Sequence, residues 1–389
     1  MIIVDKPYVS DFLIQTLQNH PVEVIDLPNA RELLHRNGIN FISLKEATEK
    51  LTKNPETPLF TISENSIGLI EKHFGFTHFP DRIDAVKNKA RFRKLTAVLN
   101  PGFFFREINL DEFDLLNPIE LPQPFIIKPV TGFFSLGVYK VTNPANWPDI
   151  KNKILSEMAI VENTYPPEVL STKRFIIEQC IDGDEYTTDA YFDAEGKPII
   201  LGMMHHVFAS AEDMSDRLYL TSRKVISENY GRFYDFFVKA GKLLDLKNFL
   251  IHAEVRVNEK GEILPIEINP LRFGGWCTSA ELTHYAFGFN PYLAVENQLK
   301  PDWEQILKTC SDDIFSIIIL NNSTGVDARD IKSFYYDKLL ARLHRPLEIR
   351  KVDARKFHIY GFIYAQTRQD NFSELEHLLK NDLREFVER

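Results

Sequence analysis

Hydrophobic and polar positions divide the chain into stretches with different periods. Over the first 80 or so residues, short apolar runs alternate with helical stripes. Ile2–Val4 reads as a strand, Phe12, Leu13 and Leu17 mark a helix, Val22–Ile25 reads as a second strand, and Pro28 opens another helix. Leu59–Ile62 is a further strand, with Ser63 at an N-cap position and Ile67, Leu69, Ile70 and Phe74 following at helical spacing. This α/β prefix reads as scaffold, because the turn after Val4 is Asp5-Lys6-Pro7-Tyr8 and not the GxGxxG that a dinucleotide site needs. From about residue 120 to 270 the pattern is strand-rich, with runs at Phe125–Ile127, Val138–Val141, Phe175–Glu178, Thr187–Phe192, Ile199–Met203 and Leu250–Val257. Phe233, Phe236, Phe237, Ala240 and Leu244 trace a core-facing helical stripe between them. The last 80 or so residues add strands at Ile314–Leu320 and Ile359–Tyr364 and a charged helix from Ser373 to Glu388. No internal repeat and no low-complexity linker interrupts this order.

A chain of 389 residues implies two or three folded units. Its 44% hydrophobic and 26% charged residues suffice for a sizeable core. The net charge of −9 argues against a broad nucleic-acid or anionic-membrane footprint, so cations that bind phosphate must act locally. Cys180, Cys277 and Cys310 are odd in number and far apart, which excludes a disulfide framework and a CxxC site. Charge breaks the opening Met1–Lys6 before a signal-peptide core forms, and no apolar run approaches the roughly 20 residues of a membrane span. These features together predict a cytoplasmic protein with no membrane partner.

Three segments carry candidate chemistry. In Leu250–Val257, strict alternation puts His252, Glu254 and Arg256 on one face. Asn258-Glu259-Lys260-Gly261 is turn chemistry, after which Glu262–Ile268 returns antiparallel with Glu267 and Asn269 on one face. A four-residue loop pairs Glu254 with Pro265 and makes Glu267 its diagonal neighbour, about 7–8 Å away between backbones. Two carboxylates and an amide oxygen at that separation suit a hard cation such as Mg²⁺; the alternative is a solvated hairpin face. Secondly, Lys128 ends an apolar strand and precedes the loop Thr131–Gly137, which can fold over phosphates. That loop is not a P-loop, since Val138-Tyr139 stands where Lys-Ser/Thr is required, and a plain hairpin is the alternative. Thirdly, Phe175–Ile181 runs into Asp182-Gly183-Asp184-Glu185, where strand backbone can meet an adenine edge and a carboxylate can meet ribose hydroxyls.

In chain order, Lys89, Lys128, a Gly/Ser loop, Glu178, Ile181, Glu185, Glu254 and Glu267-Ile268-Asn269-Pro270 resemble the ATP-grasp superfamily of ADP-forming ligases. The resemblance covers roughly residues 85–295, and the prefix is similar to a pre-ATP-grasp domain. It implies an α/β (α+β) fold with four parts: an N-terminal α/β domain (1–85), a central lobe (86–180), a C-terminal lobe with the metal site (181–310) and an α/β extension (311–389). It further implies ATP and Mg²⁺ as cofactors, with Mn²⁺ as an alternative. Lys89, Lys128 and Ser135 would meet phosphates, with Lys128 also catalytic, Glu178, Gln179 and Ile181 would meet the adenine, and Glu185 the ribose. Glu254, Glu267 and Asn269 would hold the metal. Two departures stand out: Phe133 and Phe134 occupy a usually glycine-rich loop, and Leu271 delays the expected catalytic arginine by one residue to Arg272, leaving Arg256 as its competitor.

The expected activity is that of a carboxylate–amine ligase working through an acylphosphate, on an amino acid or other small acid. An ATP-grasp kinase and a non-catalytic nucleotide-binding regulator are the alternatives. Gly274–Ser279 is a candidate substrate-binding segment, and Cys277 lacks an adjacent base that would make it a nucleophile. His205, His206, Arg217, Arg223, His252 and Arg256 form a cationic group that suggests an anionic substrate, with His205 and His206 on opposite faces of their strand. The expected partners are a small-molecule carboxylate and an amine, with no nucleic acid; a homo-oligomer is an open expectation.

Overall fold

The computed structural model describes every residue except 36, 133–135, 162–169, 211, 212 and 214. The chain forms two compact units. The first comprises Met1–Gly183, Ala190–Ile199 and Tyr234–Trp276; the second comprises Asp184–Asp189, Ile200–Phe233 and Cys277–Arg389.

The first unit begins with the expected α/β prefix. Its strands Asn40–Ile42, Glu23–Ile25, Ile2–Ile3 and Phe60–Thr61 lie side by side in that order, all parallel. Helices Asp11–Asn19 and Leu44–Lys53 start where Ser10 and Ser43 accept from the backbone N–H three residues on, and Glu46 completes a capping box with Ser43. Ser63 accepts from the Asn65 N–H and opens a short 3₁₀ turn, Glu64–Ser66, ahead of helix Ile67–Phe74.

A four-stranded antiparallel sheet follows, in the order Phe105–Asn109, Arg174–Gln179, Phe125–Pro129, Tyr139–Val141. Phe113, Phe125, Trp147, Ile154, Phe175 and Ile177 build its core, with Phe113 packed edge-on against Phe175. Helix Lys89–Thr96 packs through Ala90 on Val130 and Ile176, and the Lys89 N–H donates to the Val130 carbonyl at 2.8 Å. The unit also contains the hairpin of Phe249–Val257 with Ile263–Pro270.

The register of that hairpin differs from the expected one in two ways. The loop holds three residues, since the Asn258 N–H donates to the Glu262 carbonyl at 3.1 Å and Val257 pairs with Ile263. The Asn258 side chain sets this tighter turn by accepting from the Lys260 and Glu262 N–H groups at 3.0 and 2.9 Å. A bulge then leaves Ile266 without an opposite residue, so Glu254 pairs directly with Glu267 and His252 with Asn269. The two acids are thus closer than the diagonal placement predicts.

The second unit contains an antiparallel run of strands, with Leu218–Thr221 between residues 200–207 of strand Pro198–Val207 and Ile314–Asn321, then Ile359–Thr367 and Pro346–Lys351. Leu218, Ile318, Leu320, Ile363, Leu375 and Phe386 belong to its core. The terminal helix is shorter than expected and spans only Ser373–Lys380. Asn381 Oδ1 accepts from the Leu383 N–H at 2.7 Å and Leu383 adopts a left-handed φ of 62°, which stops the helix. The chain continues as Val387–Glu388 paired with Ser333–Phe334.

Among the described residues no helix is long and apolar enough to cross a membrane. The three cysteines are free, with Cys277 buried.

Candidate active site

Lys128 lies opposite Ile176, and Glu178 opposite Ile126, so the two side chains are diagonal neighbours on one sheet face. Lys128 Nζ stands 2.7 Å from Glu178 Oε2 and donates to the Ile266 carbonyl at 3.4 Å, the carbonyl of the bulged residue. Arg93 comes from the same helix face as Lys89, one turn on, and its Nε reaches Glu178 Oε1 at 2.6 Å. Its NH2 donates to the Pro265 carbonyl at 2.6 Å, and its guanidinium lies 4.4 Å from the Phe103 ring centroid. Burial favours the neutral acid at Glu178, but the two cations outweigh it and hold the carboxyl at about 2. Burial, with Lys89 and Arg93 nearby, takes the Lys128 ammonium below its ordinary value despite Glu178. The Glu178 carboxylate therefore faces Lys128 and Arg93.

Gln179 Oε1 accepts from the Phe104 N–H at 2.8 Å. The Ile181 carbonyl accepts from Arg256 NH1 at 2.7 Å, which ties the turn after this strand to the hairpin. Gly183 completes that turn at φ +116°, where an added Cβ would meet the Val257 carbonyl oxygen at 2.2 Å. Ser135 lies outside the described residues.

Around the hairpin acids, Asn269 is buried and its Nδ2 donates to Glu254 Oε1 and Glu267 Oε1, each at 3.3 Å. His252 Nε2 is 3.8 Å from Glu254 Oε1. Glu267 Oε2 pairs with Lys89 Nζ at 3.0 Å. Burial opposes the Glu267 charge, yet Lys89 overcomes both burial and the repulsion of Glu64 and holds this carboxyl at about 2. Burial likewise opposes the Lys89 charge, but Glu267, with Glu64 and Glu178 further off, raises its ammonium above the ordinary value. Among the described residues no three His, Cys, Asp or Glu side chains gather as a metal cage. Two opposed carboxylates with one amide between them are instead the hard-oxygen donor set that suits Mg²⁺ shared with phosphates. The amide now offers N–H to both acids, and turned over it offers its oxygen.

Arg272 lies beside this group. Its Nε and NH2 reach Glu64 Oε1 at 3.0 and 2.6 Å, and its NH1 donates to the Phe273 carbonyl at 3.0 Å. Lys87 pairs with the other oxygen of Glu64. Burial would raise the Glu64 carboxyl, but Lys87 and Arg272 bring it down to about 2.

Glu185 lies in the second unit, where Oε1 is 2.8 Å from Nδ1 of buried His206. The His206 ring stacks on Tyr219, while His205 stacks on Tyr186, so the adjacent histidines do face opposite ways. The expected cationic group is engaged piecemeal. Arg217 donates to the Asn381 carbonyl and to Ser323, and Arg223 to the Cys310 carbonyl with Asp312 at 3.1 Å.

Sequence reasoning did not single out Glu64, Lys87 or Arg93. Arg93 was detectable as the residue one helical turn from Lys89. Glu64 follows the C-terminal end of a parallel strand, the end at which ligands meet open α/β sheets.

Residues 121–280 match the family model for the ATP-grasp domain. The structure is similar to that of an L-amino acid ligase from Bacillus licheniformis, with 15% identity, 99% of this chain and 97% of that chain covered, and a TM-score of 0.66. An N5-carboxyaminoimidazole synthase from Aspergillus clavatus, in complex with ADP and 5-aminoimidazole ribonucleotide, matches at 14% identity over 99% and 98% of the chains with a TM-score of 0.63. The biotin carboxylase domain of Hydrogenobacter thermophilus 2-oxoglutarate carboxylase, in complex with ADP, its magnesium salt and bicarbonate, matches at 12% identity over 94% and 86% of the chains with a TM-score of 0.58. No curated protein sequence matches the chain. The resemblance to ATP-grasp ligases read from the sequence is borne out in domain and in fold.

Proposed function

We propose that the chain is an ATP-dependent, ADP-forming carboxylate–amine ligase that works through an acylphosphate, with an amino acid as one substrate. The observation that carries the reading is the Lys89–Glu267 ion pair at 3.0 Å, set between Asn269 and the Glu64–Arg272 pair. In it, a lysine suited to phosphate and a carboxylate suited to metal stand in for each other's ligand. The L-amino acid ligase of similar fold, and the relatives seen with ADP, add support.

In this reading Lys89 and Lys128 bind the phosphates with Ser135, the backbone of Gln179 and Ile181 meets the adenine, and Glu185 meets the ribose. Glu178 holds Lys128 in place. Glu254, Glu267 and Asn269 would hold magnesium, which when bound neutralises phosphate charge. The substrate carboxylate attacks the γ-phosphorus and the bond to the β-phosphate oxygen breaks, releasing ADP. The amine then attacks the acyl carbon and the phosphate leaves with the electrons of the C–O bond. Arg272 places a planar cation where charge collects between carboxylate and phosphoryl group.

A screen of amino acids, singly and in pairs, for stimulated release of ADP and phosphate tests the proposal. One or more pairs should raise both products together; ADP with a stable phosphorylated product and no free phosphate would replace the ligase by a kinase. Glu267→Gln should cut the stimulated rate to below about a tenth, a loss above ~1.4 kcal/mol in the barrier. Retained activity in that variant would remove Glu267 from the metal site.

A further inference from the structure

We infer that Glu64 is a positioning residue for Arg272, so that the N-terminal parallel sheet helps to build the reacting centre and is more than scaffold. The inference rests on the ligase reading above. It starts from the one-residue delay at Leu271. Leu271 adopts a left-handed φ of +57° and is buried at 1% exposure, a costly conformation for a residue with a Cβ.

Two backbone hydrogen bonds of 2.7 Å hold it there: the Leu271 N–H donates to the Leu250 carbonyl, and the Thr61 N–H donates to the Leu271 carbonyl. The second comes from the edge strand of the parallel sheet, three residues before Glu64. The kink thus places Arg272 beside Glu64.

The turn that carries Glu64 is itself fixed. Thr61 Oγ1 donates to the Ser63 carbonyl at 3.1 Å and bonds Ser66 Oγ at 2.9 Å, while Ser63 Oγ accepts from the Asn65 N–H at 3.2 Å. One rigid strand end therefore holds the arginine by its backbone neighbour and by its guanidinium.

The charges agree with this role. Glu64 serves both Lys87 and Arg272, which leaves one positive charge over, and Lys89 and Glu267 both feel the Glu64 charge. A neutral side chain at position 64 would leave Lys87 and Arg272 to repel one another in a buried place, and the flexible arginine stem would swing away. Arg272 would then be present but misaimed, a fault that lowers turnover and spares ATP binding.

The test uses the full chain, the amino acid pair that passes the screen, and the variants Glu64→Gln, Arg272→Lys and their double. Glu64→Gln should lower kcat by about tenfold or more, leave calorimetric MgATP affinity within about twofold, and keep the KM for ATP. Combined with Arg272→Lys it should cost no more than about twofold beyond Arg272→Lys alone, because both changes disable the same group. Glu64→Asp keeps the charge and shortens the reach, so the same pattern can be read if the glutamine variant folds poorly. A kcat within about twofold of wild type, or single losses that multiply in the double variant, would overturn the positioning role while the ligase reading stands. A wild type that binds MgATP, yet releases no ADP with any amino acid, would overturn that reading and this inference with it.

Discussion

Lys128 carries two duties that a substitution separates. It is buried between Glu178 at 2.7 Å and the Ile266 carbonyl, and it is the cation proposed to meet ATP phosphate. Lys128→Ala should weaken ATP affinity in calorimetry. It should also lower stability by about 1–3 kcal/mol in denaturant titration, less than for a fully orphaned acid because Arg93 still serves Glu178. An unchanged ATP affinity with lowered stability would leave Lys128 a purely structural ion. The same buried carboxyls set an acid limit. Glu64, Glu178 and Glu267 are each held at about 2 against an ordinary 4.5, so the folded state binds fewer protons than the unfolded chain between those values. Their contribution to stability is full above the ordinary carboxyl range and is lost as pH falls toward 2. Melting temperature should therefore drop steeply below about pH 4.5, and Glu178→Gln should flatten that slope; equal slopes in both proteins would refute the assignment.

At the scale of elements, what the sequence made legible was whatever has a period or a local partner. The parallel prefix, the alternation in Leu250–Val257 and the strand ending at Lys128 are repeats of two or of about 3.6, written in neighbouring residues. The bulge at Ile266 has no such signature, because it answers to the opposite strand, and together with the one-residue change of register at the loop it brought Glu267 from a diagonal to a directly opposed position. Glu64 and Arg272, 208 positions apart in the chain, meet only through folding. The early stop of the last helix depended on a side-chain bond from Asn381 that competes with the helical ladder. The turn after strand Arg174–Gln179 gives a test at this scale. Gly183→Ala would set a Cβ 2.2 Å from the Val257 carbonyl oxygen at a φ of +116°, so the turn must move away from the hairpin that Arg256 ties to it. A stability loss of about 1–3 kcal/mol with a weakened ATP affinity is expected, and an alanine variant that melts and binds like wild type would show that this close approach does not matter.

At the scale of the molecule, an acidic chain of net charge −9 gathers five cations around a few carboxylates of its first unit. Lys87, Lys89, Arg93, Lys128 and Arg272 all belong to the first unit, and each is paired with one of just three carboxylates there, Glu64, Glu178 or Glu267. With Glu254, which shares Asn269 with Glu267, five positive charges face four negative ones, and buried charge is costly unless matched. An incoming polyanion makes the excess intelligible, because phosphates supply the missing negative charge and steer toward the cations at long range. In the proposed reading Lys89 and Lys128 meet phosphate first, and Arg272, held on Glu64, acts once a carboxylate stands beside the γ-phosphate. Positional isotope exchange in ATP isolates that step. With the carboxylate substrate present and the amine withheld, the bridging oxygen should scramble among the β-phosphate oxygens, because the acylphosphate forms and returns while ADP rotates in place. Arg272→Lys should suppress the exchange and leave ATP affinity nearly intact, the signature of a contact that strengthens only as charge develops. Exchange without the carboxylate, or none despite saturating carboxylate in an enzyme that turns over with the amine, would rule out the acylphosphate as a free-standing intermediate.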